Sequence, residues 1–237
     1  REQSRDALAY AMADRIDQLA FLSLSGVGYN MKNNGAVRAA SATLGHDLED
    51  LEFAPVAADA PTDARHLRIS SGDLVDGDIT AVAASDKLGY KHIVNLKAYA
   101  KDNYIRGIRA GGNQEVFHMF VTPQQMAGLK LDTDFIANVR NAGVRGASNS
   151  LFSGTSSVMV DGVMIHEFRH VFNTAGADAG TSTNAGVAGY KWGADADVNG
   201  ARALFCGAQA LAMADIGLPE MVEDTFDYGN QSGISVG

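Results

Sequence analysis

The chain has 237 residues, 46% of them hydrophobic and 20% charged, which suits a globular protein with one large core or two small ones. A net charge of −9 argues against a dedicated nucleic-acid surface, because phosphate binding needs clustered Lys and Arg. The lone cysteine, Cys206, excludes an internal disulfide and fits a reducing compartment, and no apolar run approaches the ~20 residues of a membrane helix.

The first residues, Arg1 to Asp6, are polar and mixed in charge. They show no signal peptide and begin inside a helical pattern without an initiator Met, so a trimmed chain is expected. Residues 1–24 read as one long amphipathic helix, with Leu8, Met12, Ile16 and Leu19 as its apolar stripe. The helix should stop at Ser25-Gly26-Val27-Gly28. Residues 26–77 are rich in Gly, Asn, Ala and Asp, and imply long loops with brief apolar pieces (Leu48, Leu51, Phe53; Leu67, Ile69).

Residues 79–87 look helical, with Asp78 as cap and Gly89 as stop. Lys91 to Arg109 fits either a helix or an irregular strand. Glu115 to Val121 is a strand that runs into Thr122-Pro123-Gln124-Gln125. That tetrapeptide is a capping box with proline at the first helical position, so a short helix to Lys130 follows. A second helix is expected from Asp132 or Thr133 to Gly143. Hairpin strands over 157–172, a loop over 173–189 and a last helix over 198–216 complete the reading. The alternation lacks the rhythm of a parallel βαβ sheet, which makes the class α+β.

Two motifs compete at one place. His166-Glu167-Phe168-Arg169-His170 matches the zinc-protease signature H-E-x-x-H. The same residues follow Asp161-Gly162, a hairpin turn pair between apolar runs. A zinc site needs both histidines one helical turn apart. On a strand they lie about 13 Å apart, too far for one ion. Strand is favoured: Ser157 to Ile165 is rich in Val, Ile and Met, and no Ser, Thr, Asp or Asn lies between Gly162 and His166 as a cap, although a helix from Val163 could use Asp161. Asn173 stands where the longer metalloprotease motif needs glycine, and Asp195 and Asp197 belong to no second ligand motif.

Other features carry less. Asp195-Ala196-Asp197-Val198-Asn199-Gly200 copies half of a calcium loop, but Cys206 occupies the position of its closing glutamate. Asp197 or Asn199 is better read as a helix cap. His118 reads as a partly buried core residue. His46, His66 and His92 lack ligand-spaced neighbours. Gly26-Val27-Gly28 is too short for a phosphate loop, and Ser153-Gly154 lacks the G-x-S-x-G pattern.

Four stretches, in order, resemble the major capsid proteins of tailed bacteriophages. They are Asp14 to Gly26; Phe117 to Gln125; Ala142 to Gly146 with Asn149 to Gly154 and the Asp161-Gly162 hairpin ending Ile165-His166-Glu167; and Leu204 to Ala210 with Phe226 to Asn230. More narrowly the chain is similar to the capsids of N-four-like podoviruses. The resemblance implies the Johnson fold, with a spine helix in a peripheral domain (1–77), a mostly axial domain (78–216) and a return segment (217–237). The family's N-terminal arm and extended loop are not evident, nor is its last strand.

What the resemblance implies is assembly rather than catalysis. Copies would form hexameric and pentameric capsomers of an icosahedral shell around double-stranded DNA, in the virion, after assembly in the host cytoplasm. The expected partners are the chain itself, with portal, scaffold or decoration proteins. Neither sequence-specific DNA binding nor a membrane is expected, nor a catalytic residue, cofactor or metal. Arg106 and Arg109 are candidates for contacts between subunits, as is the 173–189 loop. Two alternatives remain. One is a zinc metallopeptidase with His166 and His170 as ligands and Glu167 as base, which requires a helix across 163–172. The other is a monomeric α+β binding domain.

Overall fold

A computed structural model describes residues 2–38, 59–111, 114–142, 157–214, 221–226 and 231–236. The 39–58 pieces Leu48, Leu51 and Phe53, the Ser153-Gly154 pair and much of the third and fourth resemblance stretches lie outside them.

Helix α1 spans Glu2–Leu24 and ends as expected, with Gly26 at φ 64°. Strands β1 (Leu67–Ser70) and β2 (Asp73–Asp76) form a small hairpin, turned by Ser71 and Gly72 at positive φ. The helix expected over 79–87 shrinks to one 3-10 turn, Ile79–Ala81. Asp78 does cap it, its side chain accepting from the Thr80 N–H at 2.9 Å. The ambiguous stretch resolves as helix α2 (Tyr90–Asp102) followed by strand β3 (Ile108–Ala110). Gly89 is the start of α2, not the stop of an earlier helix.

Strand β4 (Gln114–Val121) leads into α3 (Pro123–Lys130) through the predicted box. The Gln125 N–H donates to Thr122 Oγ1 at 3.3 Å, and the Thr122 N–H donates to Gln125 Oε1 at 3.1 Å. Helix α4 (Thr133–Ala142) follows. The Asp161-Gly162 pair, at φ 45° and 76°, joins β5 (Ser157–Val160) to β6 (Val163–Glu167). This is the two-residue turn whose twist matches its strands. Lys97 of α2 anchors the turn, 3.0 Å from the Asp161 carboxylate. The hairpin ends at Glu167, five residues short of the expected 172. A strand β7 (Leu204–Cys206) and a hairpin of β8 (Met221–Phe226) and β9 (Gln231–Val236) complete the elements.

The main sheet runs β3-β4-β6-β5, with β7 also on β4. It is mixed: β4 and β6 are parallel, Phe117 opposite Val163 and Val121 opposite Glu167. The expectation of no parallel crossover is therefore corrected, although α+β stands. The connection from β4 passes through α3 and α4 and arrives by way of the β5–β6 hairpin, so no simple helix alternation marks it in sequence.

β4 alternates between faces, as a strand must. Phe117, Met119 and Val121 are buried among Ile93 of α2, Met126 and Leu129 of α3, Phe135 of α4, and Val163 and Ile165 of β6. The opposite face carries His118 and Phe120, and the end of α1 packs there. Phe21 meets Phe120 edge-on at 5.5 Å and stacks on Phe168 at 4.9 Å.

The helix expected over 198–216 is absent across the described residues to 214. Its backbone groups are engaged elsewhere. Trp192 and Val198 exchange two N–H···O bonds of 2.9 Å, and the Arg202 N–H donates to the Phe172 carbonyl at 2.9 Å. The Gly200 N–H donates to Thr174 Oγ1 at 2.9 Å, and a Cβ at Gly200 would collide with the Trp192 ring. β7 then pairs with β4, Phe205 opposite Met119. Asp197 and Asn199 consequently cap no helix. These long-range bonds outweigh the weak helix preference of an alanine-rich run. Among the described residues, no helix is long and apolar enough to cross a membrane.

Candidate functional site

The H-E-x-x-H segment is the first place to look for chemistry, and its backbone is extended through His166 and Glu167. The two histidines have different partners. His166 Nε2 lies 2.9 Å from His118 Nδ1, the rings nearly parallel at 7° with centroids 5.2 Å apart. Phe120 packs against His166 at the same centroid distance, 5.2 Å. Burial pushes the His166 pKa below its ordinary value, and the neighbouring His118 pushes it the same way. One N–H between two ring nitrogens satisfies both; a second proton would oppose two donors.

His170 lies past the strand, buried, with Nε2 2.7 Å from Asp14 Oδ1 of α1. Arg169 Nη2 donates to the same oxygen at 2.7 Å, and Gln18 Nε2 donates to Asp14 Oδ2 at 2.7 Å. Desolvation works to raise the Asp14 pKa, but the hydrogen bonds from His170, Arg169 and Gln18 outweigh it and hold the carboxyl below its ordinary value. Asn33 Nδ2 closes the arrangement, donating to the His170 and Gln18 carbonyls at 2.7 and 3.1 Å. The second histidine of the motif thus clasps the sheet to the long helix. Among the described residues, no three His, Cys, Asp or Glu side chains are grouped to hold a metal ion. Asp195 and Asp197 are exposed in a loop.

Sequence reasoning missed the His118–His166 pair, the Asp14 clasp and a cavity. The register was the available signal for the first: once β4 and β6 are parallel, His118 and His166 fall on one face. Nothing local signals the other two. The cavity, about 250 Å³, lies beyond the end of α1. Val27, Met31, Ile79, Phe172 and Trp192 contribute its apolar walls, and Arg202 its charge. The Arg202 guanidinium lies 5.9 Å from the Phe172 ring centre and 5.7 Å from that of Trp192. Its Nη1 donates to the Ser25 carbonyl at 2.6 Å, while its Nε is buried with no acceptor.

Arg106 and Arg109 are exposed at the edge formed by β3, next to Tyr104 at 92% exposure and Ile108 at 44%. Cys206 stands opposite His118 on β7, its thiol pKa pushed up by burial. The 173–189 loop folds back on itself, Asp178 bridging to Tyr190, with a short 3-10 turn at Ser182–Asn184.

Among the described residues, none of this assembles a nucleophile, base and oxyanion site. The chain is 50% identical to the major capsid protein of Pseudomonas phage KPP25 over 241 residues, covering 100% of this chain and 59% of that protein. It therefore spans about three fifths of that relative's length. Its fold is similar to the capsid of Ralstonia phage GP4, with a TM-score of 0.59 at 20% identity, covering 100% of this chain and 60% of that one. The family model described as phage capsid protein matches residues 1–237. With strand in place of the helix a zinc protease requires, and with that family running through every residue, the chain belongs to the phage capsid proteins.

Proposed function

We propose that this chain forms the shell-building portion of a phage major capsid protein, whose copies associate as hexameric and pentameric capsomers of an icosahedral head enclosing double-stranded DNA. The observation that carries the reading is the family match over the whole chain, joined to 50% identity with a major capsid protein. On this reading the protein works in the virion after assembly in the host cytoplasm, and acts by contact rather than catalysis. Residues 1–77 form the peripheral domain with α1 as its spine, 78–216 most of the axial domain, and 217–237 the return. Portal, scaffold or decoration proteins would meet the finished or growing shell.

Arg106 and Arg109 are proposed contacts between subunits. Their exposure, on a strand edge and without an ion pair to any described residue, supports this. Heterologous contacts of that kind close into rings when the rotation permits.

The test is negative-stain electron microscopy of the full-length gene product, concentrated alone, with bound zinc assayed on the same sample. Shells, tubes or six-membered rings without stoichiometric zinc are expected. A small monodisperse particle carrying one zinc per chain would sink the reading. In the same assay Glu167→Gln should assemble like the unaltered protein, since a general base has no task in a shell.

A further inference from the structure

Arg202 is a partly buried cation. No Asp or Glu among the described residues comes within ion-pair distance of it. Its guanidinium donates to a neutral carbonyl, and its Nε meets no acceptor among the described residues. Ser25 Oγ nearby is likewise buried and unpartnered. His66, whose pKa is lowered by burial and by the nearby Arg202, is a base and offers the guanidinium no countercharge. A partly buried cation with an unsatisfied donor is costly, and the usual remedy is an anion with good geometry. Beside it lies the 250 Å³ cavity, already open for an occupant.

The chemistry of the walls selects that occupant. A guanidinium holds a carboxylate in a two-pronged arrangement. Phe172, Trp192, Val27 and Met31 favour an apolar stem behind the charge. Each copy carries 28 Asp and Glu against 19 Lys and Arg, so every copy has carboxylates to spare. In a shell, identical copies supply those carboxylates at the highest local concentration. We propose that this cavity receives an Asp or Glu side chain from a second copy of the chain, which makes Arg202 the centre of a contact between protomers. The inference rests on the capsid reading above.

Cross-linking of R202K in assembled full-length protein tests it directly. Equal amounts of light and nitrogen-15-labelled copies are assembled, treated with a carbodiimide that joins amines to adjacent carboxylates, and digested for mass spectrometry. The expected product joins the introduced amine to an acidic residue, one peptide light and the other heavy, in shells and not in unassembled subunits. Shells that give only same-label links, or no link at this position, would overturn the contact. A second variant, R202M, keeps the bulk and removes the charge. It should raise the subunit concentration needed for assembly about ten-fold, as loss of a charged hydrogen bond does. The thermal unfolding of its unassembled subunit should move far less. Assembly that is unchanged, or weakened only in step with subunit unfolding, would mean that Arg202 serves its own fold alone. If the unaltered protein builds no assembly at all, the capsid reading fails and this contact with it; shells without the mixed link remove the contact only.

Discussion

The sheet around β4 and the region beyond the end of α1 bury their side chains by different means. Twelve buried residues among those described form one continuous cluster between the sheet and helices α2 to α4, and Phe117, Val121, Val163 and Ile165 are wholly enclosed. The second cluster has three buried members among the described residues, Leu22, Phe172 and Trp192, and a cavity beside them. Its loops are held largely by paired backbone groups, such as Trp192 with Val198 and Thr174 with Gly200. Along α1 the contrast sharpens: Leu22 is fully enclosed, but Tyr10 is 78% and Ile16 50% exposed. Among the described residues, the inner face of the sheet is covered by the chain's own helices. The helix and the cavity leave apolar and charged groups of the kind a neighbouring copy covers.

Breaking the sheet should cost most. Phe117 has no exposed surface and stacks on Phe205 at 5.1 Å. Phe117→Ala should destabilise the subunit by about 4 kcal/mol, the usual cost of emptying an aromatic core site. In calorimetry that is a fall in Tm on the order of 10 °C for a chain of this size. A change of a degree or two would mean that the β4 core is less continuous than its contacts imply.

The sheet was legible where its determinants are local. Asp161-Gly162 can make its turn unaided, and Thr122-Pro123-Gln124-Gln125 caps α3 with its own side chains. The loop region was not legible, because its determinants are distant in sequence. Residues 198–214 carry the alanine content of a helix, yet Trp192 sits over Gly200 and β4 claims residues 204–206. The apolar stripe on α1 was correctly placed on a helix, but periodicity cannot tell a stripe that meets its own core from one that does not. Met12 and Ile16 belong to the exposed kind. The capsid resemblance depended on the order of several weak motifs rather than on any site, which fits a protein whose function is spread over its surface.

The two faces of the sheet should also respond differently to acid. The described buried side chains on the inner face form an apolar cluster, while the outer face holds the His118–His166 pair. The His166 pKa is lowered in the fold, so the unfolded chain binds protons more readily. The stabilising effect is therefore present above the ordinary histidine value near 6.5 and is lost as pH falls through and below it. Thermal melts between pH 7.5 and 5.5 should show a Tm that drops by less than in Phe117→Ala, and His166→Gln should flatten the dependence. An equally steep profile in that variant would assign the acid sensitivity to another group. Asp14 acts at lower pH, since its depressed pKa maintains the clasp to His170 and Arg169 until pH drops below the ordinary carboxylate value of 3.8.

The smallest effect on the subunit is expected on α1. Ile16→Gln changes a side chain that is already half exposed and that lies off the buried cluster at Leu22. Its stability should stay within about 0.5 kcal/mol of the unaltered protein, as for a surface change that removes no packing. Glutamine is also an adequate helix former, so the helix itself has no reason to melt. If α1 is the spine that neighbouring copies cover, the same substitution places a polar group in an apolar contact, and assembly should weaken while unfolding does not. The pair of measurements, subunit melting and the concentration needed to form shells, separates the two roles of one helix. Equal losses in both would mean that α1 is held by its own chain as firmly as β4, and the contrast between the two regions would disappear.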